Sequence, residues 1–151
     1  MKVLRTSLRF AWITISVAAI LPICGAVAGA QQPAVASDMN GTWINVDPAT
    51  RGIVRIQVNG KKIHPYGACH PDLCDWGWLK AKGFAATVDS SSQTALLAKQ
   101  HTGFSRSEIT LSLDAGRKLR VEVFTHFTDG SGRADYRTVN FFTRNRAAYV
   151  P

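Results

Sequence analysis

The chain has 151 residues, with 18 Lys and Arg against 10 Asp and Glu and a formal charge of +8. That length is one ordinary domain. The basic excess is scattered rather than gathered into a dense Lys/Arg cluster. This argues against nucleic acid as a partner and leaves an anionic envelope, glycan or membrane surface as what the charge would attract.

Lys2, Arg5 and Arg9 precede residues 10–23, which are apolar apart from Thr14 and Ser16. This is the layout of an export signal. The run is shorter than the ~20 residues that cross a bilayer core and ends in small residues rather than a basic cluster, so no retained transmembrane segment is expected. Cleavage sites of small-x-small type end at Ala28, Ala30 and Ala36, and the polar stretch Gln31-Gln32-Pro33 favours Ala30. Residues 1–30 are thus expected as a signal peptide, 31–40 as a flexible N-terminal segment, 41–145 as an antiparallel β domain and 146–151 as a C-terminal tail. Leu21-Pro22-Ile23-Cys24 is similar to a lipobox, but Ile23 is too bulky for the position before a modified cysteine, so Cys24 is expected to leave with the signal. The product would be periplasmic or secreted. Its remaining cysteines, Cys69 and Cys74, are expected to be oxidised there. With four residues between them, the bridge would contribute only about 2 kcal/mol of loop entropy and act chiefly on local shape.

The rest of the chain alternates apolar and polar residues in short runs, with no helical repeat sustained over three turns. The first predicted strand, 42–46, ends at the turn Asp47-Pro48-Ala49-Thr50. In 52–59, Val54, Ile56 and Val58 share a face opposite Arg55, Gln57 and Asn59, and Asn59-Gly60 suits a tight hairpin turn into 61–66. Residues 69–78 read as a disulfide loop followed by an aromatic strand, in which Trp76 and Trp78 have equal parity and should share a face. Gly83 punctuates before Phe84, Ala86 and Val88 alternate, and a turn at Asp89 and the serine run precedes strand 94–101. Ile109, Leu111 and Leu113 share a face of strand 106–113. In 118–127, Leu119, Val121, Val123 and Phe127 point inward and Arg120, Glu122 and His126 outward, with Thr125 and Phe124 departing from the pattern. The last strand, 134–144, sets Val139 and Phe141 against Thr138, Asn140 and Phe142.

Eight or nine strands joined by short turns form an all-β antiparallel meander, whose edges are best removed by closure into a small barrel. A twisted open sheet or a sandwich is the alternative. An eight-stranded barrel is either filled by side chains or holds one small ligand.

Gly41-Thr42-Trp43 resembles the Gly-x-Trp start of lipocalin and avidin-type barrels. That resemblance implies a structural tryptophan closing one barrel end, with ligands entering at the other. From Gly41 to Gly77, the pattern Gly-x-Trp-x-Asn-x-Asp-Pro followed by Cys-x-Pro-x-x-Cys-Asp-Trp-Gly resembles a segment of little-characterised bacterial exported proteins. It implies an exported domain with a shared loop and transfers no catalytic residue.

His64, His70, His101 and His126, with Asp72 or Asp75, have the donor types for a transition metal. They lack a compact spacing such as His-Glu-x-x-His, and a disulfide removes both thiolates, so no metal or other cofactor is expected. His70 reads as an exposed loop residue, and His64 and His126 as surface or packed polar residues. The spacing of Cys69 and Cys74, with no helix following, departs from redox Cys-x-x-Cys. There is no Gly-x-Ser-x-Gly elbow, Ser105 and Ser107 have no assignable base, and Glu108 and Glu122 lie among alternating strand residues. No catalytic residue is assigned.

Binding is easier to rationalise. Tyr66, Trp76 and Trp78 flank the constrained loop and offer stacking faces, while His70, Asp72 and Asp75 offer polar groups to orient a ligand. These six residues are the expected ligand site, if the aromatic face is not simply core. The sequence therefore favours an exported binding module for a small ligand or envelope glycan. A structural or protein-interaction module of the envelope ranks second and a hydrolase third.

Overall fold

The computed structural model describes residues 36–145. A 3-10 turn, Ala36–Met39, leads into β1 (Gly41–Asn45), β2 (Ile53–Asn59), β3 (Lys62–Gly67), β4 (Cys74–Asp75), β5 (Leu79–Ala85), β6 (Gln93–His101), β7 (Ser105–Leu113), β8 (Leu119–Phe127) and β9 (Tyr136–Arg144). Strand β1 pairs with both β2 and β9, and β3 with both β2 and β5. The antiparallel meander therefore closes into a barrel of eight strands, and β4 is an extra two-residue strand on β3. Closure satisfies the ladder at both ends of the meander, which an open sheet would leave bare.

Register stacks the inward side chains in layers. Leu113, Leu119 and Phe142 lie opposite one another, followed by Leu111, Val121 and Asn140, then by Ile109, Val123 and Thr138. The next layer is Ser107, Thr125 and Tyr136, and Ser105 faces Phe127 beyond it. On the adjoining strand, Leu96, Ala98 and Gln100 follow the same progression beside Leu111, Ile109 and Ser107. The interior thus changes from aliphatic to hydroxyl and amide along the barrel axis. Hydrophobic burial is concentrated in one half.

That half is sealed by the start of the domain. Met39 and Trp43 are 0% and 1% exposed, and Trp43 Nε1 donates to the Met39 carbonyl at 2.7 Å, giving a buried indole the partner it requires. The Arg144 guanidinium lies 4.4 Å from the Trp43 ring centroid and donates to the carbonyls of Asn40 and Asp38. Residues 36–39, inside the segment expected to be flexible, therefore form part of the plug. Residues 1–35 and 146–151, which hold the predicted signal, two of its cut sites and the tail, lie outside the described residues. Among the described residues no helix is long and apolar enough to cross a membrane.

Two local expectations fail. Residues 76–78 form no strand: β4 ends at Asp75, Gly77 takes φ +75°, and β5 begins at Leu79 on the same side of β3. Residues 84–88 are not a separate strand either. Strand β5 runs through Gly83 and ends at Ala85, leaving Val88 100% exposed in the following turn. Phe84 pairs with Ala95, but the ladder stops at Ala85, so the alternation is not continued by Ala86 and Val88.

Candidate functional site

The Cys69–Cys74 disulfide forms, with the two Cα atoms 5.4 Å apart. Its loop is held to β3 by pairing of Gly67 with Cys74 and of Tyr66 with Asp75. The Ala68 N–H donates to the Gly52 carbonyl at 2.9 Å. His70 and Asp72 sit exposed within the loop and make no hydrogen bond among the described residues, so they join neither the cluster outside the barrel wall nor the cavity at its open end.

Outside the barrel wall, Asp75, His64 and Tyr66 form a chain of hydrogen bonds. His64 Nε2 meets Asp75 Oδ1, and the Tyr66 hydroxyl lies 3.1 Å from His64 Nδ1. With Asp75 ionised, Nε2 carries the proton and Nδ1 is free to accept from the phenol. His64 points away from the core yet is only 8% exposed, because the rings of Tyr66 and Trp78 flank it at 4.3 and 4.9 Å. The Arg55 guanidinium covers the other ring, 3.9 Å above Tyr66. His64 bonding and the Gly77 N–H hold the Asp75 carboxyl below its ordinary value. This group fastens β4 to β3. The sequence named Tyr66, Asp75 and Trp78 but read His64 only as a packed or surface residue and gave Arg55 no role. Their alternation with Tyr66 and their position opposite it in the hairpin were the available signal.

Trp76 takes the other side of the wall, correcting the expectation that it shares a face with Trp78. Both β4 and β5 run antiparallel to β3, and one extra residue stands between their registers; Gly77 takes its positive φ there, a conformation a residue with a Cβ resists, so the side-chain alternation is broken between the two tryptophans. Trp76 packs against the core and lines the open end of the barrel, whereas Trp78 is 50% exposed outside. Gly67 makes this possible: a Cβ there would lie 2.8 Å from Trp76 Nε1.

At that open end is a cavity of about 490 Å³. Gln100, Ser107, Thr125, Thr138 and Asn140 form its polar wall, and Trp76, Phe104, Phe127 and Tyr136 its aromatic rim. Some polar groups already have partners. Ser107 Oγ lies 3.1 Å from Thr125 Oγ1, and Asn140 Oδ1 accepts from Asn45 Nδ2 at 3.4 Å. Gln100 and Thr138 have no side-chain partner among the described residues. Arg133 stacks 3.8 Å from the Phe127 centroid and is paired with Asp129 at 2.5 Å, so its charge at the rim is balanced. Of the residues lining the cavity, only Asp75 and Trp76 were among the expected ligand residues.

Compared with family models, curated proteins and solved structures, the chain matches none. A larger and shallower concavity of about 750 Å³ lies outside β6 to β9. Part of its charge is spent on internal pairs, Lys99 with Glu108 at 2.8 Å and His126 with Asp135 at 2.8 Å, and Arg137 reaches Glu122 at 3.5 Å. The mouth has the more distinctive chemistry, with unpartnered polar groups facing inward under an aromatic rim. Among the described residues no group of three or more His, Cys, Asp or Glu converges on a metal position.

Proposed function

We propose that this protein is a binding module that takes one small ligand into the open end of its barrel. The observation that carries the reading is the change of the interior at one layer. On β6, β7 and β8 the inward side chains up to Ala98, Ile109 and Val123 are apolar, and beyond them Gln100, Ser107 and Thr125, with Thr138 and Asn140 of β9, wall a cavity of about 490 Å³. A barrel needing only stability would continue the apolar filling, since buried apolar area is what stabilises a packed interior. The volume falls within the ~300–1,000 Å³ of small-molecule sites. Export to the periplasm or beyond is part of the proposal, supported by an oxidised Cys69–Cys74 pair.

The test is a fragment and metabolite screen on purified protein by two-dimensional NMR. Saturable shifts confined to Gln100, Thr125, Thr138 and the Trp76 indole are expected from at least one compound. Shifts that instead cluster on the outer strand faces, or a broad panel without a saturable response, would overturn the reading. Fractionation of cells producing the tagged full chain tests export: recovery in the cytosol with free thiols at Cys69 and Cys74 would refute it.

A further inference from the structure

With the mouth as the binding site, a reading on which this inference rests, its chemistry narrows the ligand class. We infer that it takes a neutral, polyhydroxylated ring: an uncharged sugar unit that enters with its hydroxyls toward the barrel floor and an apolar ring face against the rim.

The first observation is the lack of an available charge. No Lys, Arg, His or Glu is among the residues lining the cavity. The one acid among the lining residues, Asp75, lies opposite the outward Tyr66 and meets His64 outside the barrel wall, where its Oδ1 also accepts from the Gly77 N–H at 2.7 Å. An ionised ligand would leave water without a counter-charge, which is costly. The second is the pair of unpartnered groups. Gln100 on β6 and Thr138 on β9 stand on separate walls, and each offers a donor and an acceptor to the same space. A wholly apolar ligand would bury both unsatisfied, so the site rejects it by the cost of two missing hydrogen bonds.

The third observation is the rim. Trp76, Phe104, Phe127 and Tyr136 supply flat apolar faces around the opening, with Phe104 and Tyr136 about half exposed. Phe127 and Tyr136 stack on each other at 5.9 Å, which holds their rings in place without a ligand. A sugar ring presents CH groups on one face and hydroxyls at its edge. It therefore matches both halves of the mouth, where an aliphatic chain matches only the rim and a small polar ion only the wall.

The experiment uses the full domain and three kinds of probe, followed by NMR shifts of the mouth residues and by calorimetry. The first set is glucose, galactose, mannose, N-acetylglucosamine, cellobiose, maltose and chitobiose; the second is glucuronate and galacturonate; the third is decanol. At least one neutral sugar is expected to bind saturably at the mouth. Gln100→Met and Thr138→Val should each weaken it about three- to tenfold, the loss expected for one neutral hydrogen bond. Spectra elsewhere should stay unchanged, which separates lost binding from lost folding. Saturable mouth binding of decanol or of a uronate, with every neutral sugar silent, would overturn the ligand class and leave the mouth as the site. Silence from all three sets, on wild-type protein of intact spectrum, would overturn the class and remove the support for the mouth as well.

Discussion

The indole of Trp76 occupies the space that a side chain on Gly67 would need, with Nε1 2.8 Å from where the Cβ would stand. Gly67 belongs to β3 and is buried, while Trp76 follows β4, so the missing side chain at Gly67 leaves room for the indole at the barrel mouth. Gly67→Ala should gain about 0.4–1 kcal/mol by stiffening the unfolded chain. It should lose about 1–3 kcal/mol by overpacking against a rigid ring, so the net effect is destabilising. Denaturant unfolding checks the sign. The smaller ring of Trp76→Phe should recover part of the loss in the double variant, and no recovery would mean that the indole is not what Gly67 accommodates.

The other end of the barrel makes a parallel case. Gly41 has φ +126°, and a Cβ on it would lie 2.7 Å from Arg144 Nη1, the group that reaches across Trp43 to the carbonyls before β1. Gly41→Ala is expected to cost about 1–3 kcal/mol through backbone strain and displacement of Arg144. Trp43→Ala should cost about 3–5 kcal/mol, because a large ring leaves a cavity in a packed half. Thermal unfolding followed by circular dichroism measures both. Neither should abolish binding at the mouth in protein that remains folded.

Acid should loosen the wall before it loosens the plug. Asp75 is held below 3.8, first by its bond to His64 and then by the Gly77 N–H; Asp135 is held low by His126, and Asp129, bonded to Ser131, at about 2. A carboxyl with a depressed folded-state value contributes stability that is complete above its unfolded value, about 4. That contribution is lost as pH falls from there through the folded value. Carboxyl-carbon NMR should show Asp75 titrating below 3.8 in wild type and moving upward in His64→Gln. An unchanged Asp75 titration in that variant would show that the His64 contact does not set its acidity.

The fold was legible in the sequence where its pattern is redundant. Strands β7 and β8 each carry three evenly spaced aliphatics, Ile109, Leu111, Leu113 and Leu119, Val121, Val123, and a single period places them all on the core face. The same rule misled at Trp76 and Trp78, because parity presumes continuous strand and Gly77 breaks it. The mouth was hidden for a different reason. Ser107 and Thr125 keep the inward parity of their strands but break its apolar character, Thr125 reading only as an exception among Val123 and Phe127, and Thr138 reads as the face opposite Val139 and Phe141. Aligning the hairpins β7–β8 and β8–β9 puts these exceptions near one end of the interior. Phe142 likewise shares its face with Thr138 and Asn140, so β9 alone could not say which side was in.

Removing the disulfide should affect the mouth more than the barrel. The loop closed by Cys69 and Cys74 is short, so its chain-entropy contribution is about 2 kcal/mol. Pairing of Cys74 with Gly67 and the Asp75–His64 bond keep β4 attached without it. Cys69→Ser with Cys74→Ser should stay folded, with faster hydrogen exchange at the Trp76 amide and little change in β7 and β8. Global loss of protection would show instead that the bridge is needed for the barrel to close.

The hydroxyl pair in the fourth layer separates stability from binding. Ser107 and Thr125 face each other across β7 and β8 with their oxygens 3.1 Å apart. Thr125→Val alone leaves Ser107 without its partner and should destabilise by about 0.5–1.5 kcal/mol. Ser107→Ala added to it removes the second polar group, and the pair of changes should return close to wild-type stability or exceed it. Ligand affinity should show no such recovery, falling with the first change and further with the second. If the double variant is the least stable of the set, the hydroxyls are there to hold the barrel together, and the polar mouth loses its rationale as a site kept for a ligand.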